Sequence, residues 1–163
     1  MNDTLKMARL QARQRGGAML EFALIFPMLV VLLFGCAEVG RLLYQQNELT
    51  KAVIAGTRFI ARSPDALSAG CGQGAAWGTA SATARNLIAY SQGTTELRLE
   101  GLAASGAIVF TPRAEMLGTE AVCIVRAQAA TTFAGLFGDT VIPLLDTGPV
   151  ELNAGAEERY IGD

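Results

Sequence analysis

From Phe22 to Ala37 the chain reads FALIFPMLVVLLFGCA, sixteen residues without a charge. Adding Gly17–Leu20 lengthens the run to twenty-one residues, interrupted once by Glu21. At about 1.5 Å per residue, roughly 20 apolar residues suffice to cross the hydrocarbon core of a bilayer. The segment is therefore long enough to span a membrane if Glu21 is tolerated at one end. Ahead of it, residues 1–16 hold Lys6, Arg9, Arg13 and Arg15 against Asp3, a net of +3. The remaining residues hold 9 basic and 14 acidic side chains, a net of −5. A basic leader before an apolar run keeps the N-terminus cytoplasmic, so everything past Ala37 is expected outside the cytoplasm.

The rest of the composition narrows the chemistry. With no histidine among 163 residues, the chain lacks the commonest general acid–base group and the commonest metal ligand. Lys6 and Lys51 are the only lysines, and the formal charge of −2 shows no basic stripe of the kind that binds nucleic acid. No Cys-x-x-Cys or histidine spacing points to a metal. Glu96, Glu100, Glu157 and Glu158 are the carboxylates from which an enzyme would draw a pair, but such charges belong more readily to a solvated face. No cofactor and no catalytic group is expected.

Three features of the apolar run call for more than a plain single-pass anchor. Arg15-Gly16-Gly17 offers an unhindered, extended site to a protease at the membrane face. Glu21 lies inside the apolar stretch, where an unpaired carboxylate is costly. Cleavage after Gly16 would place a new α-amine on Gly17, able to neutralise Glu21 of a neighbouring subunit at matching depth. Pro27 removes a backbone hydrogen bond and loosens the helix over Ala23–Pro27, which a membrane span tolerates and a repacking helix can use.

From Glu38 to Arg62 the pattern turns amphipathic. Val39, Leu42, Leu43, Gln46, Leu49, Val53, Ile54 and Ile60 fall mostly on one stripe, and Glu48 and Lys51 are spaced to pair along the helix. Ala18–Arg62 is thus expected as one helix of about 45 residues, near 65 Å long. Ser63-Pro64-Asp65 ends it.

The run RGGAMLEFALIFPMLVVLLFGCAEVGRLLYQQNELTKAVIAGTRFIAR resembles the N-terminus of TadE-like minor pilins (pseudopilins) of the tight-adherence, or Flp, pilus system. Gly16 before the cut, the Glu21-Phe22 pair, Pro27, Gly40-Arg41 and Gly56-Thr57-Arg58 carry the resemblance over residues 15–62. The ending ELNAGAEERY looks like the family's closing strand. The resemblance implies cleavage between Gly16 and Gly17 by a prepilin peptidase, and pairing of Glu21 with the freed amine of a neighbour. It also implies partners: other pilin and minor pilin subunits, the inner-membrane assembly platform, and membrane lipid. Localisation follows as a single pass in a bacterial inner membrane, then the extracellular pilus. A rival stands at Leu33-Phe34-Gly35-Cys36, close to a lipobox, in which a lipidated Cys36 would tether a periplasmic binding module; a general secretory cut near Ala37 is a further alternative. Against the lipobox, Phe34 is bulky, Glu21 intrudes, and the chain continues as a helix rather than a polar tether.

Past Pro64 the chain reads as a small α+β domain, type IV pilin-like, with an antiparallel sheet laid against the long helix. Residues 66–79 form a loop; its GCGQGAAWG has neither a preceding strand nor a Walker lysine and is read as a loop held by a disulfide. Ala80–Ser91 is expected as a short helix, and Thr95–Glu100 alternates as a half-buried strand should. Ala107–Thr111, Ala121–Ala130 and Pro149–Ala154 (running on to Tyr160) are further strands, the second apolar on both faces; Phe133–Leu145 is an irregular apolar stretch. Cys71 and Cys123 fall on the oxidising side and are expected to pair, whereas Cys36 is a small apolar residue of the span. The chain divides into a leader (1–16), a span (17–37), a helix extension (38–62) and a globular domain (63–163).

Overall fold

A computed structural model of the full chain describes residues 2–90, 96–99, 101–104, 106–136, 138 and 148–162, with side chains described from Gly17 onward. The first helix, α1, runs from Asn2 to Ala61 without interruption, about 90 Å at 1.5 Å per residue. It starts earlier than the sequence suggests, so the backbone at Arg15–Gly17 is helical rather than extended. Pro27 sits inside it, and the helix continues on both sides. At its far end the Ser63 hydroxyl donates to the Phe59 carbonyl at 2.7 Å. Pro64 follows and Asp65 takes a left-handed φ of 54°, which turns the chain away.

A second helix, α2 (Trp77–Ala89), packs against α1, and three strands complete the fold: β1 (Ile108–Leu117), β2 (Glu120–Thr132) and β3 (Glu151–Arg159). They form one antiparallel sheet in the order β1-β2-β3, with Val109 opposite Gln128, and Gln128 opposite Gly155. The C-terminal half of α1 and α2 provide the helical side of this α+β arrangement. The core between the layers holds Leu49, Val53, Ile60, Ala84, Ile88, Val125 and Ala127, all fully buried, with Phe133 at 1% exposure. Cys71 and Cys123 are joined in a disulfide 52 residues apart in sequence, fastening the loop before α2 to the central strand. The C-terminus is tied back too: the Ile161 amide donates to Ala61 O at 2.9 Å, and the Tyr160 hydroxyl to Ser63 O at 3.1 Å.

Several local expectations change. Among the described residues 96–99 there is no strand, only a bridge between Tyr90 and Leu97; residues 91–95 and 100 lie outside the description. The alternating segment meets the end of α2 instead of a sheet edge, with the Arg98 amide donating to Ala89 O at 2.8 Å. β1 runs six residues beyond Thr111, through Pro112, because an edge strand leaves one side free of ladder bonds and so accommodates proline. β2 alternates buried and exposed over Val125–Thr132 rather than burying both faces, since helices cover one side of the sheet only. α2 begins three residues earlier, with Trp77 turned into the core. Of the irregular stretch 133–145, residues 137 and 139–145 lie outside the description.

Candidate assembly helix

The two halves of α1 differ in what surrounds them. From Met19 to Leu33 the large apolar side chains are mostly uncovered by their own chain: Met19 is 77% exposed, Phe22 61% and Leu24 70%. Gly17–Ala61 contains a stretch long and apolar enough to cross a membrane. Exposure of this many apolar side chains is unsustainable in water and marks a surface meant for lipid or for other helices. Phe22 and Phe26, one turn apart, have ring centroids 5.5 Å from each other.

Glu21 is exposed on this half and has no ion-pair partner among the described residues. It stands four residues after Gly17, on the same helical face and about 6 Å along the axis. Gly17 itself has open space around it, as do Gly35 and Gly40. Cys36 is a free, exposed thiol. The backbone at Gly16 is helical, and adjacent glycines make that turn cheap to unwind, each costing a helix about 1 kcal/mol relative to alanine.

Below Ala37 the helix is built into the domain. Val39 (44% exposed) and Leu43 (61%) lie off the packed face, whereas Leu42 of the same stripe is half-buried against the core. The packed face begins instead with Glu38, which is fully buried. One carboxylate oxygen accepts the Leu136 amide at 2.6 Å; the other is buried with no partner among the described residues. Gly135 allows this approach, since a Cβ there would stand 2.6 Å from that second oxygen. Gln45 makes a two-way bridge to Ala134, donating to its carbonyl at 2.7 Å and accepting from its amide at 3.3 Å. Gln46 donates to Asn153 O at 2.8 Å. Glu38 and, two turns on, Gln45 and Gln46 thus hold the segment after β2 and strand β3 to the helix directly after the apolar run. Sequence reasoning missed this clamp because Glu38, next to a charge-free run, reads as a solvated boundary.

The Gly56-Thr57-Arg58 segment proves to be a packing device. A Cβ at Gly56 would stand 2.7 Å from Ile88 side-chain atoms and 3.2 Å from Ala84 O, so the missing side chain is what lets α2 lie against α1. Thr57 is buried with its hydroxyl turned back to Val53 O at 2.7 Å. Arg58 donates from Nε to Glu158 at 2.8 Å, fastening the last turn of α1 to β3. Lys51 and Glu48 do pair, loosely, at 3.9 Å.

Of the carboxylates weighed for catalysis, Glu157 and Glu158 do not converge. Glu157 faces Arg113 (2.9 Å) and Arg126 (3.6 Å), whereas its neighbour Glu158 turns to Arg58. Successive strand residues point to opposite faces, so the two carboxyls cannot share a site. Glu100 lies outside the described residues.

Comparison with known proteins gives one match. Residues 16–58 fit the family described as TadE-like protein. The matched stretch starts at Gly16, passes through the whole apolar run and ends at Arg58, the residue that fastens α1 to β3. No curated protein matches the chain, and no solved structure matches it. The TadE-like segment and the helix with two differently clothed halves are therefore the same stretch of chain.

Proposed function

We propose that this chain is a minor pilin, or pseudopilin, of a tight-adherence pilus: a structural subunit held in the inner membrane and then drawn into the fibre. One observation carries the reading. The apolar half of α1 is uncovered by its own chain while the other half is clamped into an α+β domain, and the TadE-like match covers that junction. A helix so divided serves first as a membrane span and then as the spine of an assembly, with the domain displayed outside.

In this reading the basic leader 1–16 stays cytoplasmic and the domain 63–163 lies beyond the membrane. A prepilin peptidase cuts between Gly16 and Gly17, where the paired glycines let the helix open. The freed amine on Gly17 then has a role that no side chain of the precursor fills. Within one chain it lies a single turn from Glu21; on a neighbour displaced by about one turn, 5.4 Å, it comes level with that subunit's Glu21. Neutralising the carboxylate this way removes a cost of several kcal/mol for an unpaired charge among apolar groups. Pro27 gives the span a place to repack as it leaves the lipid. The partners are other pilin subunits, the peptidase and the assembly platform.

The test is the mass and N-terminal sequence of the mature protein from native membranes, followed by pilus formation with Glu21→Ala. A chain starting at Gly17, and loss of incorporation with Glu21→Ala despite normal membrane levels, is the expected result. A lipidated Cys36 at the N-terminus would replace the pilin reading with a tethered module. An uncut Met1 would leave a single-pass anchor.

A further inference from the structure

A second site lies where the span meets the domain. Arg41, Tyr44, Gln45 and Glu48 of α1, with Arg98 and Leu99 of the segment after α2, line an open cavity of about 460 Å³. That volume is within the range of small-molecule clefts. Its charged lining is two arginines against one glutamate, a net of +1.

The two cations are held differently. Arg98 is a fixed wall. Its Nη1 donates to Glu48 at 3.3 Å and its Nη2 to Tyr90 O at 3.1 Å, while Nε is buried without an acceptor among the described residues. Two of a guanidinium's five N–H donors are therefore engaged, a third is buried at Nε, and one on each terminal nitrogen stays available. Arg41 is exposed and makes no ion pair among the described residues. Glu48 does not neutralise it, being already engaged by Arg98 and Lys51.

Position identifies the ligand. Arg41 follows Ala37 by four residues and Tyr44 by seven, about 6 and 10 Å along the helix axis. The headgroup layer on each side of a bilayer is about 5–8 Å thick, so a span ending at Ala37 sets Arg41 within it and Tyr44 just outside it, with its side chain in reach of the layer. Arginine and tyrosine are the side chains that settle at that depth. Leu136 adds to the same end of the domain: its amide is bound by Glu38, one residue past the span, while its side chain is 61% exposed. The end of the domain that faces lipid thus offers an apolar contact and, beside it, a cationic cavity.

We propose that this cavity binds the phosphate of an anionic phospholipid, with Arg41 and Arg98 as its donors and Tyr44 beside the outer, polar end of the headgroup. The proposal rests on the reading of residues 17–37 as a membrane span. Bound this way, the lipid pins the domain against the leaflet from which the subunit departs, and it must be released when the subunit enters a fibre.

The experiment uses the full chain in nanodiscs of phosphatidylcholine and phosphatidylglycerol, and counts co-retained lipids by native mass spectrometry. Phosphatidylglycerol should be retained above its bulk proportion, and Arg41→Gln should lower that preference by about fivefold, the effect of one cation near an anionic surface. Arg41 is exposed and makes no ion pair among the described residues, so this variant is expected to fold; Arg98→Gln should act likewise, and Arg113→Gln, on the far face of the sheet, should not. Equal retention of both lipids, or a preference unchanged in Arg41→Gln, overturns the proposal. Competition by millimolar glycerol phosphate would assign the cavity to a free phosphate and overturn the lipid assignment. Loss of fibre incorporation in Arg41→Gln with lipid preference intact would assign Arg41 to a neighbouring subunit instead. An alkaline carbonate wash separates the two readings: release of the wild-type protein sinks the span, whereas retention without lipid preference sinks only the headgroup site.

Discussion

Replacing Gly56 by alanine tests whether the glycine in the TadE-like segment is there for packing. Alanine is the better helix former by about 1 kcal/mol, so propensity alone predicts a more stable protein. The added Cβ, however, would stand 2.7 Å from both Cγ1 and Cδ1 of Ile88, and 3.2 Å from Ala84 O. Carbon atoms rest about 3.5–4.0 Å apart, so Ile88 must withdraw by roughly 1 Å. Ile88 is fully buried and has nowhere to go without moving α2. Overpacking of this kind costs about 1–3 kcal/mol, leaving a net loss of about 1 kcal/mol after the propensity gain. For a domain of about 100 residues that is a fall in Tm of roughly 4–8 °C. The assay is thermal unfolding of the full chain in micelles, followed by fluorescence of Trp77, the sole tryptophan, buried at the start of α2. Gly40→Ala is the internal control: the same exchange on the same helix, with nothing within 4 Å of the new atom, should raise Tm. In the double variant Gly56→Ala, Ile88→Ala the new methyl enters the space left by the isoleucine, so the double loss should fall about 1 kcal/mol or more short of the summed single losses. A Gly56→Ala protein as stable as Gly40→Ala, or strict additivity with Ile88→Ala, would refute the reasoning.

Further outcomes follow from other contacts. Replacing Cys71 and Cys123 by serine opens a loop of about 52 residues and should lower stability by about 4 kcal/mol, read by the same fluorescence transition. Glu38→Gln keeps an acceptor for the Leu136 amide and should preserve its protection from hydrogen exchange, whereas Glu38→Ala should expose that amide and cost about 1–3 kcal/mol. Arg58→Ala breaks a partly exposed ion pair with Glu158 and should change stability by no more than about 1 kcal/mol. Gly40→Phe, on an open helix face, should not lower Tm yet should reduce incorporation into fibres, measured as the ratio of sheared to cell-bound protein.

What could be read in advance was whatever depends on a long repeating pattern. The charge-free run, the helix beyond it and the strands that became β2 and β3 all show in residue period and charge. The errors arose where a neighbour, not the period, decides. Thr95–Glu100 alternates like a strand, yet Leu97 meets Tyr90 and Arg98 is taken up by Glu48, because this segment lies against the end of α2 and α1 rather than a free sheet edge. Val39 and Leu43 match the helical stripe but lie beside the clamp rather than beneath it. The clamp was invisible for the converse reason. Glu38, Gln45 and Gln46 are polar, and nothing local marks a polar residue whose partners are backbone groups about 90 to 107 residues away. Gly56 was noticed through the family resemblance alone; its reason is an isoleucine 32 residues further on.

The clamp also bears on how a subunit of this design would be oriented. A span followed by a flexible joint would let the domain swing, and the position of the helix in a fibre would then say little about which surface faces outward. Here the joint is missing. Glu38 engages Leu136 one residue past the apolar run, Gln45 and Gln46 engage Ala134 and Asn153 two turns on, and Arg58 and Ala61 engage Glu158 and Ile161 at the far end. The sheet is therefore fixed to the helix at three heights along about 35 Å of its axis. Rotation of the span about its own axis must carry the domain with it. Wherever Glu21 sets the azimuth of the helix against a neighbour, it sets at once which face of the sheet is displayed, and the ionic row of Arg113, Arg126 and Glu157 lies on the face away from the helices. A few glycines inserted after Ala37 would break that coupling while sparing the span and the domain, and would separate subunits that merely enter a fibre from subunits that enter it in register.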